Sequence, residues 1–130
     1  MVNNENNTNS IGSASTPLGK EVDWGTKENN QLLTAVLALE SKDEAKNFLR
    51  DLMTEAEITE FAKRLEAARL LATDTQYAAI IERTGLSSTT IARISKWLKG
   101  NLGGYRLILS RIANVSLHHH SISHRVKGLS

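Results

Sequence analysis

Apolar residues recur at intervals of three and four positions along most of this chain, which is the spacing of helices with one buried face. Several of these runs follow a Ser or Thr with a Glu three residues later, as at Ser41 and Thr54, the pattern of a helix N-cap. The chain has one proline, and only 5% of its residues are aromatic, so helices are favoured over a β-sandwich. We therefore predict an all-α fold of about six helices.

The predicted helices lie between two polar segments. Residues 1–23 are rich in Asn, Ser and Thr, which predicts a disordered N-terminal tail. Residues 24–113 form the predicted helical domain, and residues 114–130 are predicted to be a flexible polar C-terminal tail. We expect no signal peptide, because the first residues lack an apolar core. No apolar run reaches the roughly 18 residues of a membrane span, so we expect a cytoplasmic protein with no membrane partner.

The two halves of the chain carry opposite charge. Residues 1–74 have 8 Lys and Arg against 13 Asp and Glu, whereas residues 75–130 have 8 against a single acid, Glu82. The resulting balances of −5 and +7 indicate that the second half meets a polyanion such as DNA.

The acidic first half is unusually apolar. Residues 26–72 carry more apolar surface than one small bundle needs, with Leu32, Leu33, Val36, Leu37 and Leu39 on a single predicted helix. A small domain gains stability by burying such surface against another subunit. We therefore predict a homodimer built on this segment.

Residues 75–99 have the pattern of a helix-turn-helix. Gly85 marks the sharp turn, Leu86 follows it, and Ser87 is a suitable N-cap for the second helix. The expected apolar anchors of the two helices are Ile80, Ile81, Ile91 and Ile94. Ile81 occupies the position, four before the glycine, at which a small alanine is usual, so we expect Ala78 or Ala79 to supply the close helix contact instead.

The second of these helices, residues 88–99, is the predicted reader helix, the one that enters the major groove of DNA. Small polar side chains at its start can reach base edges or phosphates, and basic side chains further along supply electrostatic attraction. The predicted DNA-binding residues are Ser88, Thr89, Thr90, Arg93, Lys96, Lys99 and Arg106.

The order of five segments between Leu52 and Ile112 resembles the Trp repressor-like family of small bacterial regulators. The segments are LMTEAE, RLEAARLL, IERTG, STTIARI and GGYRLIL, the last being the Gly-Gly-Tyr segment after the reader helix. The resemblance implies an intertwined, all-helical homodimer. Each subunit would present one reader helix to successive major grooves of double-stranded DNA, as expected of a sequence-specific repressor.

The founding repressor of that family responds to tryptophan, and the resemblance locates its effector pocket at Thr54, Arg64 and Arg93. Two positions depart from the family pattern: Ile94 replaces a glycine and Trp97 replaces a serine. Because bulky side chains fill space that an indole ring needs, we predict that this protein is not tryptophan-responsive. The effector, if one exists, is unknown.

The sequence contains no clear motif for metal binding or catalysis. His118, His119 and His120 are adjacent, with His124 four residues further along the same polar segment, and no cysteine completes a metal site. No nucleophile triad, P-loop or dinucleotide motif is present, so we expect neither an enzyme nor a bound metal or cofactor. Two alternatives to a specific repressor stay open: a helical protein-interaction module and a non-specific architectural DNA binder.

Overall fold

The computed structural model describes the backbone of residues 21–129 and the side chains of residues 21–116. Helices account for nearly all of this part, and it contains no strand, which confirms the all-α prediction. The helices are α1 (Lys27–Ala38), α2 (Lys42–Leu52), α3 (Glu55–Ala72), α4 (Tyr77–Thr84), α5 (Ser88–Lys99) and α6 (Gly104–Leu129). Most of the predicted N-terminal tail, residues 1–23, lies outside the described residues.

Hydroxyl caps begin the first three helices. The side chain of Thr26 accepts a hydrogen bond of 3.1 Å from the backbone N–H of Asn29, and Ser41 caps α2 in the same way. At α3 the capping box is complete: the Thr54 hydroxyl accepts from the Glu57 N–H at 3.1 Å. The Glu57 carboxylate in turn accepts from the Thr54 N–H at 2.9 Å, so both orphan donors are satisfied.

Contacts divide the chain into two compact units, with the boundary between Phe48 and Leu49. The first unit holds α1 and most of α2, and no residue of either helix is buried. Large apolar side chains of α1 are therefore in contact with solvent, from 39% exposed at Leu32 to 85% at Leu37.

The second unit is organised around α3, against which α4, α5 and α6 pack. Ala67 and Ala68 of α3 are fully buried, and their small side chains allow α4 and α5 to approach α3 closely. The buried cluster is completed by Leu70, Ile80, Leu86, Ile91 and Ile94. From α6, Tyr105 and Leu109 pack against it while partly exposed.

The residues from Thr73 to Thr75 end α3. Asp74 adopts a left-handed conformation with φ 61°, its N–H donates to the Leu71 carbonyl at 3.1 Å, and the Thr75 N–H donates to the Leu70 carbonyl at 3.0 Å. These two bonds form a Schellman motif. The N-cap of α4 is Gln76, which makes no side-chain capping bond.

Helix α6 extends beyond the predicted helical domain. The predicted helical domain ends at residue 113, before the polar segment at residues 114–130, but the backbone is helical through Leu129. This corrects the predicted helix end. The physical reason is that no proline and no glycine occurs between Tyr105 and Lys127, so nothing in the local sequence terminates the helix.

Within the part of the chain that the structure describes, no helix combines the length and apolarity needed to cross a membrane.

Candidate nucleic-acid interface

Helices α4 and α5 form the predicted helix-turn-helix, joined by Gly85, Leu86 and Ser87. Gly85 has φ 75°, the left-handed region, and its N–H donates to the Ile81 carbonyl at 2.8 Å. A Cβ added at Gly85 would meet nothing within 4 Å, so the glycine serves the backbone conformation and not a close approach. Leu86 is 5% exposed and inserts into the core directly after the turn.

Ser87 is the N-cap of α5, as predicted: its hydroxyl accepts from the Thr90 N–H at 3.1 Å. The neighbouring Thr84 has a structural role that was not predicted from the sequence. Its buried hydroxyl donates to the Ile80 carbonyl at 2.7 Å and accepts from the Leu86 N–H at 3.2 Å. A threonine immediately before a turn glycine was the available signal, because Ser and Thr commonly bond to backbone groups near helix ends.

The packing of α4 differs from the predicted anchors at one position. Ile80 is fully buried, whereas Ile81 is 38% exposed and does not anchor the helix. The bulk of Ile81 therefore does not obstruct the helix contact. Ala78 is exposed and Ala79 half-buried, whereas the two alanines of α3 described above are fully buried.

One side of α5 is buried and the opposite side is open. Ile91, Ile94, Ser95 and Leu98 face the core. Thr89, Arg93 and Lys96, spaced four and three residues apart, are exposed on the opposite face, and we call these three residues the reader face. Helix α5 contains no acidic residue, so no carboxylate on this helix opposes a phosphate.

The remaining predicted DNA contacts flank the reader face. Ser88 and Lys99 are exposed at the two ends of α5, whereas Thr90 is half-buried. The Thr90 hydroxyl accepts a 3.0 Å hydrogen bond from the Ser87 hydroxyl, so it already has a partner within the N-cap.

Arg106, the last of the predicted DNA contacts, lies on α6 and is engaged with the end of α5. Its guanidinium Nη1 donates to the Leu98 carbonyl at 2.5 Å and to the Gly100 carbonyl at 2.8 Å. The sequence predicts Arg106 as a DNA contact and does not indicate these bonds, because charge is visible in a sequence and a carbonyl partner is not.

Two of the three predicted effector residues have partners on their own helix. The Thr54 hydroxyl takes part in the capping box, and the hydrogen bonds from Thr54 hold the pKa of Glu57 below its ordinary value. The Arg64 guanidinium lies 3.3 Å from the Glu60 carboxylate and 5.3 Å from the centre of the Phe61 ring. Burial raises the pKa of Tyr105, and the charge of Arg64 opposes that rise.

The two residues expected to block the effector pocket have different surroundings. Ile94 is 3% exposed and belongs to the core of the second unit, whereas Trp97 is 38% exposed. An apolar groove of about 570 Å³ lies elsewhere, between the end of α3, the end of α5 and α6. Its lining includes Arg69, Leu98, Arg106, Leu109 and Ile112 but none of the predicted effector residues.

The histidines at positions 118–120 and 124 lie outside the residues whose side chains are described. Among the side chains that are described, no three His, Asp or Glu residues form a group able to hold a metal ion.

Comparison with known proteins agrees with this architecture. Residues 27–113 match the family described as Trp repressor protein. The uncharacterised protein YerC of Bacillus subtilis (strain 168) is 37% identical over 86 residues, which span 66% of this chain and 83% of YerC.

Two solved structures have the same fold. A TrpR-like protein from Eubacterium eligens ATCC 27750 superposes with a TM-score of 0.64 at 36% identity, covering 69% of this chain and 93% of that one. A candidate Trp repressor from Staphylococcus aureus gives a TM-score of 0.63 at 34% identity, covering 68% of this chain and 88% of that one. The resemblance noted in the sequence is thereby confirmed, and the chain belongs to the Trp repressor family.

Proposed function

We propose that this protein is a sequence-specific DNA-binding transcription regulator, a repressor that acts as a homodimer. The observation that carries the proposal is the reader face of α5, where Thr89, Arg93 and Lys96 are exposed opposite a buried apolar side. A helix that packs its apolar side on the core and presents small polar and basic groups on the opposite side fits the major groove of DNA. Membership of the Trp repressor family supports the same function.

Each exposed side chain of α5 has a specific task in this proposal. Arg93 reads a base edge through its planar pair of donors, and Ser88 and Thr89 contact bases or phosphates near the start of the helix. The free N–H groups of the first turn add a phosphate site. Lys96 and Lys99 neutralise phosphates and contribute affinity on any sequence.

The homodimer is supported by the apolar surface that one copy leaves exposed. In α3 and α6 this surface comprises Phe61 at 45%, Leu107 at 52%, Ile112 at 49% and Val115 at 56% exposure. Helices α1 and α2 bury none of their own residues. Apolar surface on this scale marks a protein interface, and a second copy satisfies it symmetrically. Residues 24–113 would then be the dimerisation and DNA-binding domain, with reader helices one DNA turn apart.

We further propose that tryptophan is not the effector. Thr54 and Arg64 already have hydrogen-bonding partners on α3. The side chain at position 94, where the family has a glycine, is a buried isoleucine packed in the core. Opening space for an indole ring beside it would break contacts within a close-packed cluster.

The deciding experiment is selection of binding sites from a random DNA library by the purified full-length chain, with the last round repeated at raised salt. An enriched motif with two-fold symmetry is the expected result. As a matched control, the Lys96→Ala, Lys99→Ala double variant should enrich the same motif more weakly, because it keeps Arg93 and loses two phosphate contacts. Binding without enrichment would contradict sequence reading and indicate an architectural DNA binder. A folded protein that binds no DNA would contradict the proposal and indicate a protein-interaction module.

A further inference from the structure

We infer that Arg106 is a positioning residue for the reader helix: it holds the last carbonyls of α5 from α6 and so sets the angle at which α5 meets DNA. The inference rests on the proposed function. Its geometric basis is the pair of hydrogen bonds from Nη1 to the Leu98 and Gly100 carbonyls, at 2.5 and 2.8 Å. Both acceptors belong to the end of α5, and the donor belongs to another helix.

The carbonyls at the end of a helix are natural partners for a guanidinium. The last four carbonyls of an α-helix lack intrahelical N–H partners, and the negative end of the helix dipole favours a cation there. The interaction reaches a rigid part of α5, since the Leu98 side chain is only 9% exposed. Arg106 therefore ties the reader helix to α6, which itself packs against α3.

The two glycines before Arg106 are not equivalent, and their difference supports the inference. Gly103 has φ 73°, and a Cβ added there would lie 3.1 Å from Nη2 and 3.8 Å from Cζ of Arg106. A Cβ added at Gly104 would meet nothing within 4 Å. Gly103 thus leaves room for the Arg106 guanidinium beside the end of α5, whereas a side chain at position 104 would not approach that guanidinium.

The consequence for DNA binding is a loss of specificity with little loss of general affinity. Helix α5 is held on the core by its buried side chains Ile91, Ile94 and Leu98, and Arg106 adds an attachment at its last carbonyls. Releasing that attachment lets the end of the helix shift on the core, which misaligns Arg93 relative to base edges. Phosphate contacts tolerate such a shift because attraction between charges depends weakly on direction.

The test compares Arg106→Lys with the wild-type chain, since lysine keeps the charge but its shorter side chain ends before the position of Nη1. We expect operator affinity to fall about tenfold, the equivalent of one charge-assisted hydrogen bond. Affinity for unrelated DNA and the dependence of binding on salt should stay within about twofold of wild type. In the free protein, amide hydrogen exchange at Lys99 and Gly100 should accelerate.

One glycine variant provides a control. Gly104→Ala should behave as wild type in both measurements, because a Cβ added there would meet nothing within 4 Å. Unchanged operator affinity and unchanged exchange in folded Arg106→Lys would overturn the inference. The inference would also be overturned if Arg106 behaved as a simple phosphate contact. In that case Arg106→Ala would flatten the salt dependence of DNA binding by about one unit, while Arg106→Lys would keep operator affinity.

The exchange measurement separates this inference from the proposed function. If the wild-type chain binds no DNA, the proposed function fails, and exchange alone decides whether Arg106 holds α5. Amide exchange that is faster in Arg106→Lys than in the wild type would then show that Arg106 holds the end of α5, and equal exchange would overturn the inference.

Discussion

The buried hydroxyl of Thr84 accepts a hydrogen bond of 3.2 Å from the backbone N–H of Leu86. This bond spans the turn glycine and connects the last residue of α4 to the first residue of the turn that enters the core. Because both groups are buried, removing the hydroxyl leaves a backbone donor without a partner.

We therefore expect Thr84→Val to lower the free energy of unfolding by about 1–3 kcal/mol, the cost of a buried unsatisfied polar group. Urea denaturation followed by circular dichroism measures the change. Thr89→Val is the matched control, because Thr89 is exposed on the reader face and its substitution should change stability by no more than about 0.5 kcal/mol. Equal effects of the two substitutions would show that the Thr84 bond does not stabilise the turn.

Asp74 is the one non-glycine residue with positive φ in the described part of the chain, at 61°. Left-handed backbone is unfavourable for a residue with a Cβ, and an acidic side chain is also unfavourable at the end of a helix. Asp74→Gly should therefore stabilise the protein by about 1 kcal/mol, measured as a higher midpoint of thermal unfolding. Asp74→Ala, which keeps a Cβ and removes the charge, separates the backbone effect from the electrostatic one. A lower midpoint for Asp74→Gly would contradict the backbone argument.

The capping box of α3 predicts a loss of stability in acid. Hydrogen bonds from the Thr54 N–H and hydroxyl lower the pKa of Glu57 below its ordinary value of 4.5. A carboxylate whose pKa is lower in the folded state stabilises that state above the ordinary pKa, and the stabilisation disappears as the pH falls through the folded-state pKa.

Glu57→Gln removes this titration while keeping an acceptor for the Thr54 N–H. Between neutral pH and about pH 3, the variant should therefore lose less stability than the wild type, as measured by urea denaturation at each pH. An NMR titration of the Glu57 carboxyl should also give a higher pKa in Thr54→Ala, which lacks the hydroxyl donor. Identical pH profiles for wild type and Glu57→Gln would refute this account of the cap.

Arg93 and Lys99 should have different roles on DNA. Arg93 lies at the centre of the exposed side of α5, so Arg93→Ala should weaken operator binding by about 1–3 kcal/mol and relax the preferred sequence. Lys99 lies at the end of the helix, so Lys99→Ala should weaken binding to all sequences similarly and reduce the salt slope by about one. Fluorescence anisotropy with operator and scrambled duplexes over a range of salt measures both. If Arg93→Ala and Thr89→Val weakened binding equally on every sequence, base reading by α5 would be excluded.

Tryptophan should not bind at micromolar concentration. We propose that Ile94, which is packed into the core, leaves too little space for an indole ring, because interiors tolerate little overpacking. Isothermal titration calorimetry of the folded protein with tryptophan should show only heat of dilution, and a titration with operator DNA in the same preparation serves as the control. A saturable micromolar isotherm would contradict the prediction.

Local sequence determined much of this protein. The capping residues Ser41, Thr54 and Ser87 act on groups within three positions along the chain, so local sequence located the starts of three helices. Gly85 marked the turn, because left-handed backbone is nearly free of cost only for glycine. The alternation of polar and apolar residues in 88–99 also indicated which side of the reader helix is open.

Tertiary structure decided the features that depend on a partner from another helix. Ile80 and Ile81 are equally apolar and adjacent, and only packing against α3 and α5 buries the first and leaves the second 38% exposed. Arg106 is one more positive charge in the sequence, but folding places it beside two carbonyls at the end of α5. The physical reason is that caps and turns are satisfied within a few residues, whereas burial and long-range hydrogen bonds depend on which surfaces the whole chain brings together.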